Sequence, residues 1–254
     1  HEGMFTTASW GGSRTFFYNA TSASTDDIIF DHRIPWTQSQ SNAGNQDSRP
    51  EAWAKNIFSV GGVRHFNNSS PVDDSWSGSG STGPAADGRI KPDLCAYYDS
   101  IHTSDRSGSQ GYSSGNSYTS FGGTSGATPI CAGHNALAIE MYTDLIFGNN
   151  PRVSGGSVFD NRPYAQTLKA MMIASAEQYA FQANSSDNLR EHQGWGFPDL
   201  EKLYDNRDKT LIVPEDVVLT QGEAQTYLIV VGAGQSELKA CLTFLEPMGN
   251  PAAS

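Results

Sequence analysis

Eight residues, Gly122-Gly123-Thr124-Ser125-Gly126-Ala127-Thr128-Pro129, run straight into an apolar stretch of helical character from Ile130 to Leu145. This order sets a serine at the start of a helix. Unpaired backbone N–H groups and the positive end of the helix dipole gather there, so negative charge built beside the hydroxyl is stabilised. Acyl transfer needs that stabilisation. The glycines let backbone pass close to a substrate, and Pro129 is expected in the first helical turn, where a missing N–H costs no hydrogen bond. Serine and threonine are also ordinary helix caps. On these residues alone a nucleophile or anion site and a plain cap both stand.

Gly-Thr-Ser-x-Ala-x-Pro opening a long helix resembles the nucleophile motif of the subtilisin-like serine proteases, the subtilases, and the related sedolisins share much of it. Ser41-Asn42-Ala43-Gly44-Asn45 followed by Asn56 to Val63 is similar to the subtilase pattern of an Ala-Gly-Asn turn before a Val-Gly-Ala-Val-like strand. Sedolisins carry an aspartate where this chain has Asn45. Asp87-Gly88-Arg89-Ile90-Lys91-Pro92-Asp93 and Gln193-Gly194-Trp195-Gly196 resemble subtilases of the type with a C-terminal β-sandwich domain, and the likeness runs over roughly residues 1 to 207. It implies Ser125 as nucleophile and Asn45 as side-chain donor of the oxyanion hole, beside the Ser125 backbone N–H. It also implies that Ser9, Trp10 and Gly11 pair with the substrate backbone, while Asn42, Ala43 and Gly44 form the opposite wall. Small residues on both walls let an extended peptide lie between them like an added strand. Asn45 also reads as a turn-stabilising residue after glycine, and Trp10 as packing. Gly126 stands where the family commonly has methionine, which removes an oxidisable sulfur beside the serine.

A serine hydroxyl needs a base to take its proton. In subtilases the catalytic aspartate and histidine come before the strand that here begins near Phe5, in Asp-Thr/Ser-Gly and His-Gly-Thr motifs. Neither motif occurs in this sequence, and His1, His32, His65, His102, His134 and His192 lack that context. The expectation is the C-terminal part of a catalytic domain whose Asp and His lie on its own missing N-terminal segment. Alone it is expected to be inactive, since losing the histidine of such a triad costs about 2 × 10⁶ in turnover. Two other readings stay open: a non-catalytic binding or structural module on the same fold, and a sedolisin-like acid peptidase.

Composition narrows the setting. With 27 acidic against 16 basic residues the formal charge is −11, which repels nucleic acid and anionic lipid. No run approaches the ~20 apolar residues of a membrane span, and His1-Glu2-Gly3-Met4 has no leader character. A charged content of 17% with 26 glycines suits a secreted, extracellular enzyme with polar loops acting on peptide or protein substrates. Cys95, Cys131 and Cys241 lack zinc spacing, and no cofactor for catalysis is implied. Structural calcium is considered for the acids Asp26, Asp27, Asp73, Asp74 and Asp187, but no ligand is assigned and no metal residue named. Asn19, Asn68 and Asn184 begin glycosylation triplets that such a composition produces by chance.

The elements that must position these residues follow from periodicity. Phe5 to Gly11 reads as a short strand, Asp26 to Arg33 as a helix with Ile28, Ile29 and Phe30 as its apolar face, and Ile57 to Val63 as a buried strand, with another before Ala43. Residues 64–89 and 99–120 read as loops. Ile130, His134, Leu137, Met141 and Leu145 suggest the core stripe of the helix after Ser125. Ala165 to Tyr179 reads as a helix packing Leu168, Met171, Met172 and Ala176, and Pro198 to Tyr204 as a short helix opened by proline. Beyond Lys209 the chain alternates in strand fashion at Leu211 to Val213, Gln225 to Val231 and Glu237 to Leu245. The expected fold is therefore α/β, a subtilisin-like parallel sheet flanked by helices over 1–207, then the first strands of an incomplete β-sandwich over 208–254.

Overall fold

Four short strands, β1 (Thr6–Ala8), β2 (Trp36–Ser39), β3 (Phe58–Val63) and β4 (Leu94–Tyr97), lie parallel in chain order in the computed structural model, which describes residues 3–76, 78–178 and 189–250. Register pairs Thr6 with Trp36, Thr37 with Phe58 and Val60 with Leu94. All six residues of β3 are buried, as in a strand covered on both faces. Helix α1 (Ala20–His32) makes the crossover from β1 to β2. Helix α2 (Thr124–Thr143) lies across the sheet, with the short α3 (Val158–Asn161) leading to α4 (Ala165–Ser175), which packs on α2. Phe58, Val60, Leu94 and Ala96 of the sheet meet Ala127, Cys131, Ala138 and Ile139 of α2 and Leu168, Met171 and Met172 of α4 in one core. The methionines of α4 are packing residues.

Several expected elements differ. The stripe foreseen on α2 is its core face only in part: Ile130 and Met141 pack against the core while Leu137 is 50% and Leu145 37% exposed, and the buried positions are Thr124, Gly126, Ala127, Thr128, Cys131, Ala132, Asn135, Ala138, Ile139 and Tyr142. Small residues face the sheet because a helix lying close to strands has no room for longer side chains. Leu137 and Met141 lie toward Leu200 and Tyr204. Of the apolar face foreseen on α1 only Ile29 is buried, Ile28 and Phe30 being 43% and 40% exposed. That helix starts at Ala20 because the Asn19 side chain accepts the N–H groups of Thr21 and Ser22, while Ser22 accepts the Asn19 N–H. A polar first turn hid this reciprocal cap from periodicity. Segment 99–120 contains a hairpin, β5 (Ile101–Ser104) and β6 (Ser117–Phe121), and β4 too was not foreseen. Two short helices, α5 (Arg190–Gln193) and α6 (Leu200–Asp205), follow, the latter capped by Asp199 rather than opened by Pro198. The helix expected from Ala165 to Tyr179 stops at Ser175, and Glu177 bridges Phe197 instead; Tyr179 itself lies outside the described residues. Within 208–250 none of the three sandwich strands forms among the described residues, and Leu228 and Val230 are 93% and 88% exposed. Their alternation has no partner ladder here, and unpaired strands do not hold.

Candidate active site

Chain segments leave β1 and β2 at the carboxyl end of the sheet, where α2 also begins. That edge is where open α/β sheets bind ligands. Strand β1 stops at Ala8, so Ser9, Trp10 and Gly11 are the first residues beyond it. Residues 40–45 leave β2 beside them. Gly123 has φ +82° and donates its N–H to the Tyr98 carbonyl at 2.7 Å. A side chain there would be strained and would press on Asn42.

Helix α2 has no capping side chain of its own. Asn42 supplies one from the segment beyond β2: its Oδ1 accepts the Thr124 N–H at 2.8 Å and the Thr124 hydroxyl at 3.1 Å. The Thr124 hydroxyl in turn accepts the Ser41 N–H at 3.2 Å. The second wall is thus fastened to the turn that presents Ser125, with Ser41 held at φ +114°.

Ser125 and Ser9 bond in both directions. The Ser125 hydroxyl donates to the Ser9 carbonyl at 3.2 Å, and the Ser9 hydroxyl donates to the Ser125 carbonyl at 3.0 Å. This corrects the expectation for Pro129. Because α2 starts at Thr124, Pro129 is its sixth residue and stands inside the helix. Its missing N–H is the one that would have bonded the carbonyl four residues back, that of Ser125. The Ser9 hydroxyl fills that place.

Asn45 is exposed, its Oδ1 accepts the Asp47 N–H at 2.8 Å and its carbonyl accepts the Thr82 N–H at 2.9 Å. The turn role is therefore real. It uses the oxygen of the amide and leaves the Nδ2 hydrogens unengaged among the described residues, and no hydrogen bond joins Asn45 to Ser125. Ala43 donates its N–H to Ser81 at 3.0 Å, and Gly44, at φ +70°, lies against the Gly78 carbonyl. Trp10 is 77% exposed rather than packed, with its carbonyl held by Gln38 at 2.8 Å.

Three charged residues brace the walls without having been foreseen. Arg49 donates to the Gly12 carbonyl at 2.9 Å, Glu51 accepts the Gly12 N–H at 2.9 Å, and Arg14 donates to the Ser41 hydroxyl at 2.9 Å. Nothing in local spacing announces them, since their partners lie 27 to 39 residues away.

The Asp87 to Asp93 motif belongs to the scaffold. Asp93 receives Lys91 at 2.8 Å, Lys169 of α4 at 2.9 Å, and the N–H and hydroxyl of Ser59 at 2.8 and 2.9 Å, all out of solvent. Burial opposes ionisation of Asp93, but the ammonium groups of Lys169 and Lys91 outweigh it and hold the carboxyl well below the usual range. Burial, with the nearby cations Lys169 and Arg89 and against the pull of Asp93, brings Lys91 down to about 7. Trp195 of the second scaffold motif donates its N–H to the Asp93 carbonyl at 2.9 Å.

No described histidine bonds Ser125. His65 pairs with Asp99 at 3.1 Å beyond β3 and β4, His134 bonds the Ile130 carbonyl at 2.8 Å, and His192 stacks on Trp76 at 4.1 Å. Cys131 is buried and its thiol pushed up by that burial, the opposite of a reactive thiolate. Asp26 accepts the N–H groups of Lys55 and Asn56 and the Tyr18 hydroxyl, Asn19 caps α1, and Asn68 bonds Ser70 and Asp73. Among the described residues no three His, Cys, Asp or Glu side chains converge as metal ligands; Asp187 and the Asn184 triplet lie outside them, as does His1. No described helix is long and apolar enough to cross a membrane.

Comparison with known proteins gives consistent relatives. A model described as the subtilase family matches residues 9–196. Serine protease AprX of Bacillus subtilis (strain 168) is 34% identical over 105 residues, 36% of this chain and 22% of AprX. Among solved structures, the prenylagaramide maturation protease PagA aligns with a TM-score of 0.55 at 15% identity, over 81% of this chain and 62% of its own. The self-cleaved protease domain of PatA gives 0.52 at 15%, over 80% and 62%. At such identities the structural likeness is one of fold. The chain spans about a fifth of AprX and under two thirds of PagA.

Proposed function

The chain belongs to the subtilase family, and from that premise we propose that it is the nucleophile-bearing part of a secreted serine endopeptidase. Ser125 attacks the peptide carbonyl, its proton passing to a histidine oriented by an aspartate, both carried on a segment preceding these residues. The oxyanion that forms is met by the Asn45 Nδ2 and the Ser125 N–H at the positive end of α2. The amine then leaves with the proton, and water hydrolyses the acyl-serine. Substrate lies between Ser9–Gly11 and Asn42–Gly44. The observation that carries the reading is a serine hydroxyl at a helix N-terminus, turned to the carbonyl of a segment leaving the adjacent strand. The extracellular setting is supported by low charge density and polar loops.

Fluorophosphonate labelling of the full-length protein tests this. One label at Ser125, abolished by Ser125→Ala, is expected, with the 254-residue chain alone nearly unreactive. A full-length protein that takes no label supports the non-catalytic reading instead.

A further inference from the structure

The carbonyl that Pro129 leaves without a helical donor is that of the serine at the centre of the site. It is answered by Ser9, the first residue beyond β1, whose own carbonyl holds the Ser125 hydroxyl. Two bonds thus tie the substrate-pairing segment to the turn presenting the nucleophile, and each depends on the other being in register. From this we infer that Ser9 is a positioning residue, whose hydroxyl uses the gap made by Pro129 to fix where the Ser125 oxygen stands relative to a peptide paired along Ser9–Gly11. The inference rests on Ser125 being the nucleophile.

Its chemistry is specific. In an uninterrupted helix the Ser125 carbonyl would bond the N–H of residue 129 and Ser9 would have no privileged acceptor. With proline there, removal of the Ser9 hydroxyl leaves a carbonyl of the nucleophile unsatisfied and frees the two segments to slide. Pro129 is exposed, so Pro129→Ala restores the helical donor without opening a cavity. Ser9 and Pro129 form a coupled pair although they lie on different elements.

Two measurements separate this inference from the reading beneath it. In the 254-residue chain, urea unfolding of Ser9→Ala, Pro129→Ala and the double variant should show coupling, the Ser9 substitution shifting the midpoint only where Pro129 is present. In the full-length enzyme, Ser9→Ala should slow fluorophosphonate labelling and kcat on the order of tenfold or more, with KM held within about twofold. Ser9→Thr, which keeps the hydroxyl, should restore most of the rate, and Ser9→Ala in the Pro129→Ala background should cost little further. Additive stability effects, or a Ser9→Ala enzyme that labels at the unsubstituted rate, overturn the inference while leaving Ser125 as nucleophile. An unsubstituted enzyme that takes no label overturns both.

Discussion

Asp93 holds two ammonium groups at once, and its loss is expected to cost more than the loss of either lysine. Asp93→Asn leaves Lys91 and Lys169 facing each other without an anion, which should destabilise the chain by about 3–5 kcal/mol, read from urea unfolding. A midpoint within error of the unsubstituted chain would remove the triad from the scaffold. The sign of the pH effect follows from Lys91. Its folded value of about 7 lies below the ordinary 10.5, so above pH 7 the unfolded state binds the extra proton and stability rises with pH. The rise is cleanest between about pH 7 and 8, before the unfolded thiols of Cys95, Cys131 and Cys241, each raised by burial in the folded chain, ionise and act oppositely. Lys91→Met should flatten it. At the site itself, Asn45→Ala should lower kcat about 10²–10³-fold with little change in KM, the effect of removing one such donor from a subtilisin; an unchanged kcat would leave Asn45 with its turn alone. Sequence could put forward Ser125 and Asn45 as candidates because each sits in a compact local motif. It could not carry Ser9's bond to Ser125, nor Arg49 and Glu51, because those contacts are made by folding distant segments together.

At the scale of elements, α2 and the β5–β6 hairpin explain the glycine after Ser125. A Cβ on Gly126 would meet the end of Ile101 on β5 and lie 3.3 Å from the Phe121 ring on β6. A longer side chain at this position must displace the end of Ile101. Gly126→Ala should therefore destabilise by about 1–3 kcal/mol, and Ile101→Ala in the same chain should recover more than about 0.5 kcal/mol of it. Simple additivity of the two in thermal unfolding would show that the hairpin does not bear on that position. Strand β3 and helix α4 were legible because burial on all sides or on one broad stripe writes itself into residue type. The face of α2 was legible only in part, because close approach to the sheet favours Ala, Thr and Cys, which carry little hydrophobic signal, while longer apolar residues such as Leu137 serve α6 and the surface. The hairpin strands, rich in Ser and Thr and facing solvent, look like loop by composition.

Across the whole molecule, the tail beyond the family match returns to the body more than once: Ile212 packs against the main core, Glu215 takes Arg152 at 2.7 Å and the Tyr164 N–H at 2.6 Å, and the end of the described chain docks again. Leu245 packs with Ile29, Ala54, Ile57 and Ala165. Glu246 bonds Lys55 at 2.8 Å, and its backbone exchanges two bonds with the Asn56 amide at 2.8 and 2.9 Å. Gly249 donates to the Tyr18 hydroxyl at 2.9 Å, which itself donates to Asp26. Asn56 therefore reads Glu246 as a neighbouring strand would, though no ladder forms. Partial burial of one leucine and a handful of net hydrogen bonds, less the entropy of ordering the segment, leaves about 2 kcal/mol. Ending the chain at residue 240 should then lower Tm by roughly 4–8 °C. Asn56→Ala should lower Tm in the full chain by a smaller amount, and much less in the shortened one, where its partner is gone. The seat continues into the turn that carries Arg49 and Glu51 against Gly12, so hydrogen exchange at Gly11 and Gly12 should quicken when the strap is removed. Protection there that is unchanged, despite a lower Tm, would confine the strap to stability and separate it from the segment beyond β1.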